Sequence, residues 1–187
     1  ERRRIAILDN TELRGKVTSS LAVILQKSGR VDEARSLYRQ SIECAEESCS
    51  TRTLLNRLTN LGTLEQNANN FSAAINAYKR SKEVATALND QSALLRSGLN
   101  LANLNATLGL YDESSRILDG IERYTEGNQY ATERAYIQLL RLDIELNGET
   151  LPPDFNKRVD LLAIDFEKIG LNAALLEVAL LKLKAEA

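Results

Sequence analysis

Residues 21–41 read LAVILQKSGRVDEARSLYRQS, and residues 61–81 read LGTLEQNANNFSAAINAYKRS. Laid over one another at a spacing of forty, they pair Leu21 with Leu61, Ala22 with Gly62, Ile24 with Leu64 and Gly29 with Asn69. The register continues through Val31 and Phe71, Ala34 and Ala74, and Tyr38 and Tyr78. A third copy follows, with Leu101, Ala102, Leu104, Gly109, Tyr111, Ser114 and Leu118 in the same slots. Self-similarity at a fixed period of this length is the mark of one supersecondary unit stacked several times.

Each unit contains two amphipathic helices. Apolar residues recur at three and four within about 12–28 and 31–48, 51–68 and 71–88, and 91–108 and 111–126. The turn inside each pair falls at SGR, NNF and GLY. Gly29 and Gly109 take the left-handed conformation that ends a helix at no steric cost, and Asn69 is the best non-glycine substitute. The turns between pairs, LDNTE, ESCST, LNDQS and EGNQY, also return at forty and carry polar capping residues. The first of these implies that residues 1–8 are the tail of a preceding helix. A fourth pair is expected from QYATERAYIQLLRLDIELNGE and a helix from about Pro153 to Ile169, the proline pair breaking the link and presetting the next start. One last helix follows Gly170.

The order bulky-small on the first helix, glycine at the turn, an apolar residue two later, alanine three after that and tyrosine four further on resembles the tetratricopeptide repeat. The resemblance covers residues 12–126 well. The usual period of that repeat is thirty-four residues, so a period of forty is similar to the longer-helix variety of bacterial regulators and some eukaryotic scaffolds. What the resemblance implies is an all-α, right-handed superhelical solenoid of antiparallel helix pairs. The expected repeats are 12–50, 51–90, 91–129 and 130–169, with a half repeat at 171–187, about four and a half in all. The first helix of each pair then lines a concave inner surface that grips an extended peptide.

Counting along those first helices at four, three and four gives one stripe per repeat. The stripes are Lys16, Ser20, Val23 and Lys27; Asn56, Asn60, Thr63 and Asn67; Arg96, Asn100, Asn103 and Thr107; and Tyr136, Leu140, Asp143 and Asn147. Asparagine is a poor helix former, so a face meant only for water would carry Glu, Lys or Gln more economically. An amide offers both donor and acceptor, as a peptide backbone does, and the asparagine stripe therefore reads as a peptide groove, with a plain solvated face as its alternative. Asn105 lies off the stripe and reads as an edge or packing position. Some members of the family clamp the C-terminal carboxylate of chaperones; this chain matches that pattern at Asn60 and loosely at Arg96, and departs from it at Ser19, Val23 and Asn100.

The rest of the composition narrows the function. The chain has 187 residues, 43% hydrophobic and 27% charged, with 24 basic against 26 acidic residues interleaved along it, so no bulk charge steers it to nucleic acid or an acidic membrane. No apolar run is long enough to span a bilayer. There is no histidine and only Cys44 and Cys49, too few ligands for a zinc site and poorly aligned for a bridge, which reads as reduced thiols in a cytoplasmic protein. No phosphate or dinucleotide loop is present, and the acids of DEARS and DESS sit at helix starts where the dipole accounts for them. No catalytic residue, metal or cofactor is expected. The chain opens at Glu1 without methionine or a leader-like stretch, and reads as a segment of a longer protein.

The expectation is therefore a protein or peptide interaction module in a cytoplasmic bacterial signalling or transcription regulator. A structural spacer without its own ligand and a sensor of a small molecule or signalling peptide are the alternatives. The final helix, 171–187, is apolar on two sides. One side can pack on the helix before it; the other is expected to be covered in the full protein by a further helix, and in this chain by a second copy.

Overall fold

The computed structural model describes residues 2–48, 50–148 and 150–186, with side chains from Asn10 onward. Those residues form nine α-helices and no strand: α1 (Arg2–Lys27), α2 (Val31–Glu47), α3 (Thr51–Asn67), α4 (Phe71–Ala87), α5 (Gln91–Thr107), α6 (Tyr111–Glu122), α7 (Ala131–Leu146), α8 (Phe155–Lys168) and α9 (Asn172–Glu186). Helices begin at Val31, Thr51, Phe71, Gln91, Tyr111 and Ala131, so the forty-residue period is two beats of twenty. Contacts group the chain into two units, residues 1–97 and 98–187, with the boundary inside α5.

The turns have one recurring form. Gly29, Asn69 and Gly109 stand at φ 76°, 58° and 74°. Beside them the amides of Arg30, Asn70 and Leu110 reach back to the carbonyls of Leu25, Glu65 and Asn105 at 2.8–2.9 Å, the six-to-one bond of a left-handed helix stop. Between pairs, Asn89 (φ 51°) makes the same stop, with Asp90 N–H donating to the Ala85 carbonyl at 3.0 Å. Asp90 Oδ1 also caps α5 by accepting from the Ala93 amide at 3.1 Å. Ser50 does not cap α3; its hydroxyl pairs with Thr53 Oγ1 at 2.7 Å.

Two boundaries differ from those expected. The LDNTE stretch is not a turn: α1 runs unbroken from Arg2 to Lys27. No proline or glycine interrupts 2–14, and Asp9, Asn10 and Thr11 alone are weak breakers set among strong helix formers. Helix α6 stops at Glu122, short of 126. There Thr125 Oγ1 caps the Glu122 carbonyl at 2.7 Å, and the Arg134 guanidinium donates to the Thr125 carbonyl and, at 2.6 Å, to that of Gly127.

In the first unit the small residues of the repeat mark where helices meet most closely. Ala22, Ala34 and Ala74 are fully buried. A Cβ on Gly62 would lie 2.5 Å from the Tyr78 ring, so the small slot of the second repeat admits nothing larger. Tyr38 donates to Gln26 Oε1 and Tyr78 to Gln66 Oε1, each at 3.0 Å, the same pair forty residues apart. The third copy replaces both partners together: Leu118 and Ala106 stand in for tyrosine and glutamine, and buried Ser114 donates to the Ala102 carbonyl at 2.8 Å. In the second unit α7, α8 and α9 share a core of Leu139, Leu142, Val159, Leu162, Phe166 and Val178. Arg158 closes the α7–α8 crossing with two bonds to Glu145 at 2.8 and 2.9 Å.

Candidate functional site

Helical geometry places the predicted stripe residues on the outside of the first helices. On α1, Lys16, Ser20 and Lys27 are exposed and Val23 is half-buried. On α3, Asn56, Thr63 and Asn67 are exposed and Asn60 is half-buried. On α5, Arg96, Asn103 and Thr107 are exposed and Asn100 is half-buried. Asn105 points inward, 4% exposed, with its amide donating to the Leu101 carbonyl at 2.8 Å, the packing role expected of it.

The stripe is chemically uneven. Lys16 is engaged with Glu12 at 2.8 Å. Thr63 bonds to the Thr59 carbonyl and to Tyr78 Oη, and Thr107 to the Asn103 carbonyl, so these hydroxyls are already satisfied. Among the described residues, the side-chain amides of Asn56, Asn60, Asn67, Asn100 and Asn103 make no hydrogen bond. Each has two donors and an acceptor with no partner within the chain. The fourth stripe does not continue this pattern. Tyr136 packs edge-on against Phe166, ring centroids 5.4 Å apart, and Asn147 Nδ2 turns back to the Asp143 carbonyl at 2.7 Å.

Sequence reasoning missed two features of the first unit. Arg57 lies on a first helix yet is 2% exposed, with Nη1 donating to the Ser41 carbonyl and Nη2 without a partner. Burial lowers its pKa, against the opposing pull of Cys44 and Glu12. Gly15 makes the room: a Cβ there would sit 2.8 Å from the guanidinium and from Cys44. The signal in the sequence is glycine at 15 where the repeat has Leu55 and Leu95. Cys44 is buried as a free thiol, and Cys49 lies outside the described residues.

The second feature is a cleft of about 440 Å³ floored by Leu58 and Leu61 of α3 and walled by α2 and α4, with Arg39, Glu43 and Arg80 at its rim. An ion pair between Arg80 and Glu46 joins its walls. Beneath it Arg35 grips buried Glu65 at 2.7 and 2.9 Å, and Asn70 adds a third bond at 3.1 Å. Burial opposes the charge on Glu65, and the bonds from Arg35 and Asn70 outweigh it, holding the carboxyl below the ordinary carboxylate range.

Among the described residues no three His, Cys, Asp or Glu side chains gather as a metal site, and no helix is long and apolar enough to cross a membrane. Paired helices in series, tied by left-handed stops and small-residue crossings, with polar side chains left uncommitted on the first helices, define an α-helical repeat protein. The family models agree: a tetratricopeptide repeat matches residues 14–87, and the SusR N-terminal TPR domain matches residues 65–140. Between them the two models place tetratricopeptide repeats over residues 14–140. Its fold is similar to that of aspartyl phosphate phosphatase F from Bacillus subtilis, with a TM-score of 0.64 at 16% identity, over 92% of this chain and 48% of that one. The chain thus spans about half the length of the solved structure it matches. No curated protein matches it.

Proposed function

We propose that this protein is a non-catalytic peptide-binding module whose first-helix asparagines hold an extended protein segment. The tetratricopeptide fold supports a protein-interaction module. The observation that carries the finer reading is the set of uncommitted amides on α3 and α5, against the threonines beside them that are satisfied within the chain. A merely solvated face has no use for five poor helix formers whose hydrogen-bonding groups serve nothing in the fold. Lys16, Ser20, Lys27 and Arg96 add polar and cationic contacts; the module has no cofactor and binds no nucleic acid. Its host is a multidomain bacterial regulator of the cytoplasm.

Asn60→Ala and Asn100→Ala, singly and together, test this. Each replacement leaves the helix intact and removes a bidentate contact. Together they should weaken partner capture by roughly 1–3 kcal/mol while the melting temperature stays at or above that of the wild type. Quantitative co-precipitation of the wild type and double variant reads this out; capture unchanged in the double variant rejects the groove and leaves the spacer reading.

A further inference from the structure

Helix α1 presents Leu13, Val17, Leu21 and Ile24 on one side, 61, 60, 44 and 59% exposed. This spacing makes a continuous apolar stripe. Forty residues on, the matching positions of α3 include Arg57 and Leu64, 2% and 1% exposed; eighty on, the first two fall at Ala93 and Ser97 of α5, 2% and 0% exposed. The repeat itself shows what covers them. Helix α2 receives Arg57 on its Ser41 carbonyl, and α4 sets Ser81 Oγ 2.8 Å from Ser97 Oγ. In both places the second helix of one pair lies on the first helix of the next, with a serine at the crossing.

We infer that the Leu13–Ile24 face of α1 is the seat of an amphipathic helix of the same second-helix type, carrying a small side chain where it crosses Val17. The cleft beside this face carries the same message. Leu21, Leu25 and Leu37 line an open hollow of about 400 Å³, and forty residues on Leu61, Glu65 and Ala77 line the cleft whose far wall is α2. The α1 hollow is that cleft with its far wall missing. The chemistry of the occupant follows from the two substitutions within the repeat. Val17 replaces Arg57, and Leu25 replaces Glu65, so the arriving helix needs no counterpart of Arg35 and meets an apolar surface throughout. Residues 2–10 are not that helix, because they continue α1 along its own axis.

A graft tests the seat directly. Residues 71–90 are placed ahead of Thr11 in lieu of residues 1–10, with Ser81→Ala in the graft, so that the turn joining α4 to α5 now joins the new helix to α1 in the register of the repeat. The grafted chain should melt about 4 °C or more above the native chain. That gain should vanish when the graft carries Ser81→Trp, and also when α1 carries Val17→Glu with Ile24→Glu. In the ungrafted chain the same pair of glutamates should leave melting within a degree or two, because both sites face water. A graft that gives no gain, or a gain that survives the glutamates, overturns the proposal. So does sedimentation showing that the native chain is a dimer dissolved by Val17→Glu and Ile24→Glu, which would give the face to a second copy. Melting and sedimentation are read without any partner, so failure of the groove leaves this test untouched.

Discussion

Glu65 shows how one residue can hold two repeats together. It sits on α3 with a carboxylate 2% exposed, bound by Arg35 from α2 and by Asn70 from the turn ahead of α4. A carboxylate taken out of water and then matched on both oxygens stabilises only while it is ionised. Its folded pKa is depressed, so its contribution is full above the unfolded value and disappears as the pH falls through the folded one. Glu65→Gln should therefore cost about 3 kcal/mol at neutral pH by urea denaturation, and the difference from wild type should shrink on acidification below the ordinary carboxylate range. A gap that stays constant down to the acid transition would deny Glu65 this role. Residue by residue, the repeat made some assignments legible and hid others. Asn69 could be placed in a left-handed turn because glycines stand in its slot in the flanking copies, and Asn105 could be set apart from its exposed neighbours by counting. Arg57 and Glu65 could not be found that way, since a charge on a helix reads as surface until its partner on another helix is known.

At the scale of elements, the helices legible from apolar spacing and glycine stops appear where that spacing puts them, and the misplacements fall where the stop signal was weak. The LDNTE stretch has polar residues but no left-handed residue, and α1 continues through it. The end of α6 is set by Arg134, which comes from the next helix and leaves no local mark. Helix α9 is apolar on two sides. Ala174, Val178 and Leu181 are buried against its neighbours, while Leu176, Leu180 and Leu183 are 68, 49 and 63% exposed, a second apolar stripe spaced at four and three. Such a stripe is self-complementary when two copies meet about a twofold axis. Light scattering over a concentration series should show the chain's mass rising towards that of a dimer, and Leu180→Glu should hold it at the monomer without altering helicity. A wild type that stays monomeric at the highest concentration would remove the dimer reading.

For the whole molecule, the physical consequence of a repeat is that stability is shared among near neighbours. The chain's contacts fall into units 1–97 and 98–187, and each unit has its own buried cluster: Ala22, Ala34, Tyr38 and Leu64 in the first, and the Phe166 and Val178 set in the second. Damage in one should then be felt mostly there. Ala74 is the sharpest place to inflict it, for it is fully buried in α4 at the slot where the repeat demands a small residue. Leucine there adds three carbons with no space to receive them, at a cost of about 1–3 kcal/mol. Hydrogen exchange resolves where that cost appears. With Ala74→Leu, amides of α3 and α4 should lose protection by roughly ten-fold or more, since 1.4 kcal/mol is a factor of ten in the opening equilibrium. Amides of α8 and α9 should keep theirs. If protection falls equally in all four helices, the chain opens as one cooperative body and the nearest-neighbour description of its stability fails. If it falls in none, the forty-residue register that places Ala74 at a crossing is wrong.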